Sequence, residues 1–282
     1  MRINTLAIVG VGLIGGSIAL AARRRSVAER IVGIDHEAET RSRALREGML
    51  DEAHPELSAV AGADLVLFCT PVDRITAQVI EASAHCRPGT LLSDTGSTKA
   101  AILRDVSGRL PSSIEFIGSH PLAGSEKHGL ANASAHLLEG RLVIVAPGPG
   151  STDNALSRIC DFWKDLGARV QVMGADEHDR ALALTSHLPH LLSSALAVIL
   201  PTEWYDLTAT GFRDTTRLAS GQPSLWSAIF RSNQAHLLGA LGRLEEQLLS
   251  FRAALCQGDR AALERLLQQG KKIRDEIGER PA

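Results

Sequence analysis

The segment from Leu6 to Ser17 constrains this chain most, because a short apolar run is followed there by closely spaced glycines. It reads Leu-Ala-Ile-Val-Gly-Val-Gly-Leu-Ile-Gly-Gly-Ser and contains the pattern G-x-G-x-x-G at Gly10, Gly12 and Gly15. The apolar run predicts a buried strand, and the residues after it predict a helix, which is the context that a dinucleotide-binding turn requires. Gly10 permits the tight turn, Gly12 lets a pyrophosphate approach the backbone, and Gly15 lets the helix pack against the strand. A tight strand-to-helix turn without a ligand is the alternative.

An acidic residue at the end of the second predicted strand supports the dinucleotide interpretation. Asp35 follows Gly15 by 20 residues, where a carboxylate accepts hydrogen bonds from the adenosine ribose hydroxyls. Its charge would repel a 2′-phosphate, which favours NAD over NADP. We therefore predict an NAD site made of Gly10, Gly12, Leu13, Ile14, Gly15, Asp35, Thr70 and Pro71.

Short apolar runs alternate with helical stretches up to about Met173, a pattern typical of a parallel sheet covered by helices. The predicted strands are Leu6–Val9, Ile31–Ile34, Leu65–Cys69, Leu91–Ser93, Phe116–Gly118, Leu142–Ala146 and Val170–Met173. The predicted helices between them include Ile75–Ala84, Ala100–Leu110 and Ala155–Leu166. We predict an α/β fold here, a Rossmann-like domain over residues 1–173.

Long amphipathic segments dominate after Gly174 and predict an all-α domain over residues 174–282. They are Ala175–Thr185, His190–Leu200, Leu225–Leu255 and Arg260–Ile277. A leucine stripe on the third segment predicts either a core face or a homodimer interface. It consists of Leu237, Leu238, Leu241, Leu244, Leu248 and Leu249.

Charge and cysteine content exclude several classes of partner and site. The 30 Lys and Arg against 32 Asp and Glu predict no nucleic-acid-binding surface. Four cysteines without a C-x-x-C pair predict neither a zinc site nor a disulfide framework. The apolar run Leu191–Leu200 is shorter than a bilayer span, and no targeting segment is evident. We expect a cytoplasmic protein without a membrane or nucleic-acid partner.

Polar residues follow three of the predicted strands, at the sheet edge where open parallel sheets bind ligands. His120 is the predicted catalytic base, because hydride removal from a carbinol carbon requires an acceptor for the hydroxyl proton. Ser97, expected in the first turn of a helix, could hold the same hydroxyl. A structural histidine and a helix-capping serine are the alternatives.

The helical half carries two further groups of polar residues. His187 and His190 lie near the start of an apolar helix, where an imidazole suits an anionic substrate. Without a third ligand of suitable spacing they do not predict a metal site. Arg217 could clamp a carboxylate through two parallel hydrogen bonds, or pair with Asp214 on the surface.

Together these segments make the chain resemble prephenate dehydrogenases, including the related arogenate and cyclohexadienyl dehydrogenases of tyrosine biosynthesis. The resemblance covers nearly the whole chain and is carried by Gly10–Ser17, Asp94–Lys99, Gly118–Lys127, Ser186–His190 and Gly211–Arg217. It implies a Rossmann-like domain and a helical homodimerisation domain, with the active site between them. It also implies the NAD-dependent oxidative decarboxylation of prephenate to 4-hydroxyphenylpyruvate, with arogenate as a second possible substrate.

The resemblance also implies roles for individual residues. His120 would accept the proton of the ring C4 hydroxyl, with Ser97 assisting in orientation. Arg217 would hold the ring carboxylate, and His190 would lie near the side-chain carboxylate. The other predicted substrate-binding residues are His187, Ser125, Glu126 and Asp214, the last two ordering the entrance. The sequence assigns no role to Arg213 or His128.

Two other functions stay open at this stage. A β-hydroxyacid dehydrogenase would share the Rossmann half and a helical second domain, but the segments Ser186–His190 and Gly211–Arg217 argue against it. A non-catalytic NAD-binding sensor would have no use for Ser97, His120, His190 and Arg217 together.

Replacement of Arg217 by alanine is expected mainly to raise the Michaelis constant. The lost charged hydrogen bonds correspond to roughly 2–5 kcal/mol of substrate binding. Steady-state kinetics with the carboxylate substrate measures this, and an unchanged constant would assign Arg217 to structure.

Overall fold

The computed structural model describes residues 3–123 and 129–278, which form a sheet with helices on both faces followed by helices alone. The strands are β1 Ile3–Val9, β2 Ala28–Ile34, β3 Glu52–His54, β4 Leu65–Phe68, β5 Leu91–Asp94, β6 Glu115–Pro121, β7 Leu142–Pro147 and β8 Arg169–Val172. The helices are α1 Leu13–Arg24, α2 Ala38–Arg46, α3 Val72–Ser83, α4 Ala100–Val106, α5 Asp153–Asp165, α6 Ala175–Leu182, α7 Leu188–Val198, α8 Thr210–Thr216, α9 Pro223–Ser232, α10 Gln234–Gln257 and α11 Arg260–Gly278. The prediction of a Rossmann-like α/β region followed by an all-helical region is confirmed.

The sheet has the strand order β3-β2-β1-β4-β5-β6-β7-β8. Neighbouring strands are parallel except for β6 and β7, which are antiparallel. The predicted parallel sheet is therefore observed with one antiparallel pair, which the sequence did not indicate. A parallel return needs a long crossover, usually a helix, whereas the described residues between β6 and β7 hold only the short 3₁₀ turn Leu130–Asn132 as regular helix.

The sheet is buried on both faces because its central strands are apolar at consecutive positions. Along β1, Leu6 and Ile8 face one apolar cluster and Ala7 and Val9 face the other. The first cluster contains aromatic residues of α5, including the fully buried Trp163. The second contains apolar residues of α3 and α4. The sheet is thereby fixed between two helical layers, and its carboxyl edge is held in place.

Three local features differ from the sequence predictions. The short edge strand β3 was missed because Glu52–His54 has no apolar alternation. The predicted helix Leu225–Leu255 is two helices, α9 and α10, separated at Asn233. His120 lies within β6 rather than after a strand ending at Gly118, since β6 continues to Pro121 through its pairing with β7.

A continuous helical segment, Ala175–Val198, comprises α6, a π turn at Ala183–His187, and α7. Its length and mean hydropathy of 1.3 would also allow a membrane span. The buried residues His178 and Asp179 and their hydrogen bonds to the sheet region are typical instead of a core helix. Single-residue π insertions occur frequently at functional sites.

Packing divides the chain into two compact units, Met1–Gln234 and Ala235–Ala282. The first contains the whole sheet and α1 to α9. All predicted site residues that the structure describes therefore lie in the first unit, while the domain boundary at residue 173 stays a prediction. In the second unit, Leu237 of the leucine stripe is buried, but Leu238, Leu248 and Leu249 are more than half exposed.

Candidate active site

The carboxyl ends of the central parallel strands form the edge that the sequence predicted to bind ligands. The strand order reverses between β1 and β4, which marks the crevice where dinucleotides bind in such sheets. Gly10 follows β1 at this point and Thr70 follows β4. A methyl group on Gly10 would lie 2.8 Å from Cγ2 of Thr70, so the two turns are in close contact.

The glycine turn after β1 has the shape that a dinucleotide pyrophosphate requires. Gly10 has a φ of +91°, and a Cβ on Gly15 would lie 2.0 Å from the carbonyl oxygen of Gly10. These two positions therefore need glycine for backbone reasons. Gly12 differs, because a Cβ there would meet no protein atom within 4 Å. The space over Gly12 and the start of α1, which has no capping side chain, fits a bound pyrophosphate.

Asp35 lies at the end of β2 and is tied to the same turn. Its Oδ2 accepts a hydrogen bond of 2.8 Å from the backbone N–H of Val11, and its Oδ1 accepts one of 2.9 Å from that of Glu37. A carboxylate has about four acceptor sites, so these bonds leave capacity for ribose hydroxyls. Its side chain is 11% exposed. The two hydrogen bonds hold this partly buried carboxylate beside the turn.

His120 is buried in β6 and its ring is held by a second histidine. Nδ1 of His120 lies 2.9 Å from Nε2 of His178, and Nδ1 of His178 lies 2.7 Å from Oδ1 of Asp179. Both His178 and Asp179 are buried residues of α6. Sequence reasoning missed this pair, because its hydrogen-bond partners lie far away in the chain.

A buried ion pair fixes the loop that follows β5. Nζ of Lys99 contacts Oδ2 of Asp94 and donates a 2.9 Å hydrogen bond to the carbonyl oxygen of Ser119. The Asp94 carboxylate also accepts hydrogen bonds from the backbone N–H groups of Gly96 and Ser119. The pair therefore ties β5 to the residue immediately before His120.

Asp179 connects α6 to the same loop. Its two carboxylate oxygens accept hydrogen bonds of 2.7 and 2.9 Å from the backbone N–H groups of Lys99 and Ala100. Ser97 lies in this loop, three residues before α4 begins at Ala100. The prediction that Ser97 occupies the first helical turn is therefore wrong, because α4 begins only at Ala100, and Gly96 and Lys99 donate their backbone N–H groups to the Asp94 and Asp179 carboxylates.

The electrostatic environment keeps His120 neutral. Burial, followed by the nearby His178, Lys99 and His187, holds the pKa of His120 well below its usual value. Burial also lowers the pKa of Lys99, against the opposing effect of Asp94. Burial would raise the pKa of Asp179, but the hydrogen bonds from His178 and from two backbone N–H groups outweigh it and lower the pKa. The cluster thus contains an ionised carboxylate and a neutral imidazole, which is the protonation state that a general base requires.

His187 joins this cluster through Asn233. Nδ2 of Asn233 donates hydrogen bonds to the carbonyl oxygen of Asp179 and to Nδ1 of His187, at 2.7 and 3.0 Å. Burial lowers the pKa of His187 to about 4, so its ring is neutral and carries its proton on Nε2. That Nε2 is buried without a hydrogen-bond partner among the described residues. It is an N–H donor available to a ligand.

His190 lies one turn later and is held by an aromatic contact. Its ring stacks on Trp226 with a centroid distance of 3.6 Å and an interplanar angle of 15°. A Cβ on Gly221 would lie 2.6 Å from both rings, so only glycine fits beside the stack. Burial lowers the pKa of His190, and its buried Nδ1 has no hydrogen-bond partner within the described part of the chain.

The segment carrying Asp214 and Arg217 is attached to α7. Oγ of Ser193 donates to the carbonyl oxygen of Thr215 and accepts from the backbone N–H of Ala219, both at 3.1 Å. Asp214 lies in α8 and Arg217 begins the 3₁₀ turn Arg217–Ser220, and both side chains belong to exposed residues. Arg213 is exposed as well. The predicted residues Ser125 and Glu126, together with His128, lie outside the described residues.

Among the described residues, no group of three or more His, Cys, Asp or Glu side chains is placed to hold a metal ion. The histidines of α6 and α7 are instead used in the hydrogen bonds and stacking contact described above.

Comparison with known families matches both parts of the chain. The model described as prephenate dehydrogenase, nucleotide-binding domain, matches residues 18–172. The model described as prephenate dehydrogenase, dimerization domain, matches residues 174–269.

Individual proteins show the same similarity over nearly the full length. The chain is 34% identical to a prephenate dehydrogenase of Bacillus subtilis, over 96% of this chain and 76% of that protein. It is 32% identical to a cyclohexadienyl dehydrogenase of Zymomonas mobilis, over 95% and 94% of the two chains. A crystal structure of prephenate dehydrogenase from A. aeolicus in complex with hydroxyphenyl propionate and NAD⁺ superposes with a TM-score of 0.92 at 29% identity, covering 98% of this chain and 99% of that one. The predicted family and NAD cofactor are confirmed.

Replacement of Lys99 by methionine is expected to destabilise the fold by about 3–5 kcal/mol, because it leaves the buried Asp94 carboxylate without its cation. Urea unfolding of the purified protein measures this. Arg30→Met is the matched control, since it removes a cation from the exposed Arg30–Glu52 pair and should change the unfolding midpoint far less. Equal midpoints for the two variants would contradict the role given to the Lys99–Asp94 pair.

Replacement of Gly12 by alanine is expected to weaken NAD binding at least tenfold, about 1.4 kcal/mol, while leaving stability unchanged. The added methyl group meets no protein atom but occupies the space assigned to the pyrophosphate. Isothermal titration calorimetry with NAD measures the affinity. Gly62→Ala, which also meets no atom within 4 Å, is the control. Unaltered affinity in the Gly12 variant would move the pyrophosphate away from this turn.

Proposed function

The chain belongs to the prephenate dehydrogenase family and is an NAD-dependent oxidoreductase, and we propose that it converts prephenate to 4-hydroxyphenylpyruvate. The observation that carries the proposal is the buried and neutral His120. Its ring is held by the His178–Asp179 pair near the carboxyl end of β6, in the same sheet as the strand that precedes the dinucleotide turn. Bound NAD supplies the acceptor for the hydride of ring C4. The residues of the chain must then handle one proton and two carboxylates.

His120 is the residue we assign to the proton. As hydride leaves C4, the C4 hydroxyl proton passes to the imidazole and the C4–O bond becomes a carbonyl. The electrons of the bond between C1 and its carboxylate then enter the ring, carbon dioxide leaves, and the oxygen regains a proton as a phenol. Because aromatisation drives the second stage, the protein mainly needs to align C4 and stabilise the developing carbonyl. Ser97, in the loop fixed by Lys99 and Asp179, is proposed to orient the C4 hydroxyl.

The two substrate carboxylates are assigned to the helical residues. We propose that Arg217 holds the ring carboxylate with its guanidinium fork. We propose that His187 and His190 bind the side chain, because each has a buried ring nitrogen with no partner among the described residues. Asp214, Ser125 and Glu126 are proposed to line the entrance.

The protonation of His187 bears on the choice of substrate. Its Nε2–H is a donor, which complements the keto and carboxylate oxygens of the prephenate side chain. An ammonium group, as in arogenate, offers only donors and gains nothing from a second donor. We therefore propose prephenate as the better substrate.

The helical region bears on the oligomeric state of the protein. More than half of the surface of Leu238, Leu248 and Leu249 is exposed, which suits a homodimer interface. The family model over residues 174–269 is described as a dimerization domain, and this supports the same assignment. We propose a cytoplasmic homodimer without a membrane or nucleic-acid partner.

The test of the function is NADH formation by the purified protein with prephenate or arogenate, each with NAD or NADP. We expect turnover with prephenate and NAD, and a lower kcat/KM with arogenate. A folded protein that binds NAD but turns over neither compound would defeat the proposal. Activity with 3-hydroxy acids in its place would favour a β-hydroxyacid dehydrogenase.

Replacement of His120 by asparagine is expected to lower kcat by ~10²–10⁴ with a modest change in KM. Because the pKa of His120 is held below its usual value, the wild-type kcat/KM should persist as the pH falls through 6.5 and decline only well below it. Steady-state rates across this pH range measure both effects. Near wild-type turnover by the variant would remove His120 from the mechanism.

A further inference from the structure

The proposed base is the outer member of a line of three buried side chains. Nδ1 of His120 is 2.9 Å from Nε2 of His178, and Nδ1 of His178 is 2.7 Å from the Asp179 carboxylate. The exposed fraction is 9% for His120, 0% for His178 and 1% for Asp179. Burial at these distances makes both contacts directional hydrogen bonds rather than solvent-exchanging ones.

The direction of each bond follows from the Asp179 end. Asp179 can only accept hydrogen bonds, because an ionised carboxylate has no proton to donate. Two backbone N–H donors, those of Lys99 and Ala100, help to keep it ionised. Nδ1 of His178 is therefore the donor. When His178 carries a single ring proton, that proton lies on Nδ1 and the lone pair on Nε2, so Nε2 accepts from His120. His120 consequently carries its proton on Nδ1 and has its lone pair on Nε2.

We propose that His178 and Asp179 are positioning residues that hold His120 in the tautomer whose Nε2 accepts the C4 hydroxyl proton. The proposal rests on the function proposed above. It assigns a role in that reaction to two residues of α6, which act on the base His120 in β6. When His120 becomes an imidazolium, its Nδ1–H bond to His178 strengthens, and the Asp179 charge stabilises the cation. Because Nδ1–H stays bonded to His178, the proton that returns to the phenol oxygen leaves from Nε2.

The surroundings of the line explain why such positioning is needed. A positive charge on His120 is opposed by burial and by three nearby groups, which are His178, the Lys99 ammonium group and His187. Asp94 accepts hydrogen bonds from Lys99 and from two backbone N–H groups, so its negative charge is already balanced by these donors. Among the described residues, Asp179 is the other buried carboxylate of the cluster, and its hydrogen bond with His178 connects it to His120.

The experiment compares His178→Leu with His178→Gln by steady-state kinetics with prephenate and NAD. Leucine removes the acceptor, and we expect kcat to fall about 10- to 100-fold with little change in KM. Glutamine can still accept from His120 and donate to Asp179, so it should recover activity to within about threefold of wild type. His136→Leu, which removes a comparable but exposed imidazole–carboxylate pair with Glu139, is the control and should be unaffected.

A double-mutant cycle separates positioning from general damage to the structure. If His178 acts through His120, then His178→Leu should cost no more than about twofold when added to His120→Asn. A loss of the same factor with and without His120 would overturn the proposal. So would wild-type kcat in His178→Leu, or failure of glutamine to recover the activity of a folded variant.

The tautomer itself gives a readout that does not depend on turnover. The ring ¹⁵N chemical shifts of His120, assigned by their absence in His120→Asn, should report protonation at Nδ1 in the wild-type protein without cofactor. The proton should move towards Nε2 in His178→Leu. A wild-type His120 protonated at Nε2 would overturn the inference even if the enzyme is active, whereas an inactive enzyme with the expected tautomer would overturn only the proposed function. The wild-type measurement also stands if His178→Leu does not fold.

Discussion

The lysine at position 99 has no contact with solvent, and the architecture of the site depends on how its charge is satisfied. Asp94 provides the counter-charge, and the carbonyl of Ser119 accepts from the same ammonium group. Burying an isolated ion would cost several kcal/mol, so β5, its following loop and β6 must stay in the one arrangement that pairs it. His120 follows Ser119 directly, so the ion pair helps to fix its backbone position together with the pairing of β6 and β7.

Much of the fold was predictable because strands that are buried on both faces of the sheet consist largely of consecutive apolar residues. β4 is a continuous apolar run, β1 contains one at Leu6–Val9 and β5 begins with Leu91 and Leu92, and each strand was located to within a few residues. The antiparallel direction of β7 was not predictable in this way, because an apolar run such as Val143–Ala146 is compatible with a parallel or an antiparallel strand. Nor was the break at Asn233, where the side chain leaves the helical pattern to bond Asp179 and His187.

The candidate site divides along the same line. Residues recognisable from local motifs, such as Gly12 in its turn and His120 at a strand end, could be named from sequence because strand ends meet at one edge of a sheet. His178 and Asp179 could not, because their partners are 58 and 80 residues away in the chain and no local pattern records that pairing. Long-range hydrogen bonds between buried groups are visible only once the topology is known.

The distribution of charge within this cluster has a chemical consequence. A base that must take a proton and return it works best when both of its states are close in free energy. Burial and the Lys99 ammonium favour the neutral state of His120, whereas Asp179, acting through His178, offsets that preference once the proton arrives. A direct carboxylate contact would raise the basicity of His120 further and retain the proton. Placing the His178 ring between the carboxylate and the base lengthens the distance over which that attraction acts, so the arrangement allows His120 to accept the proton during hydride loss and to release it as the ring becomes aromatic.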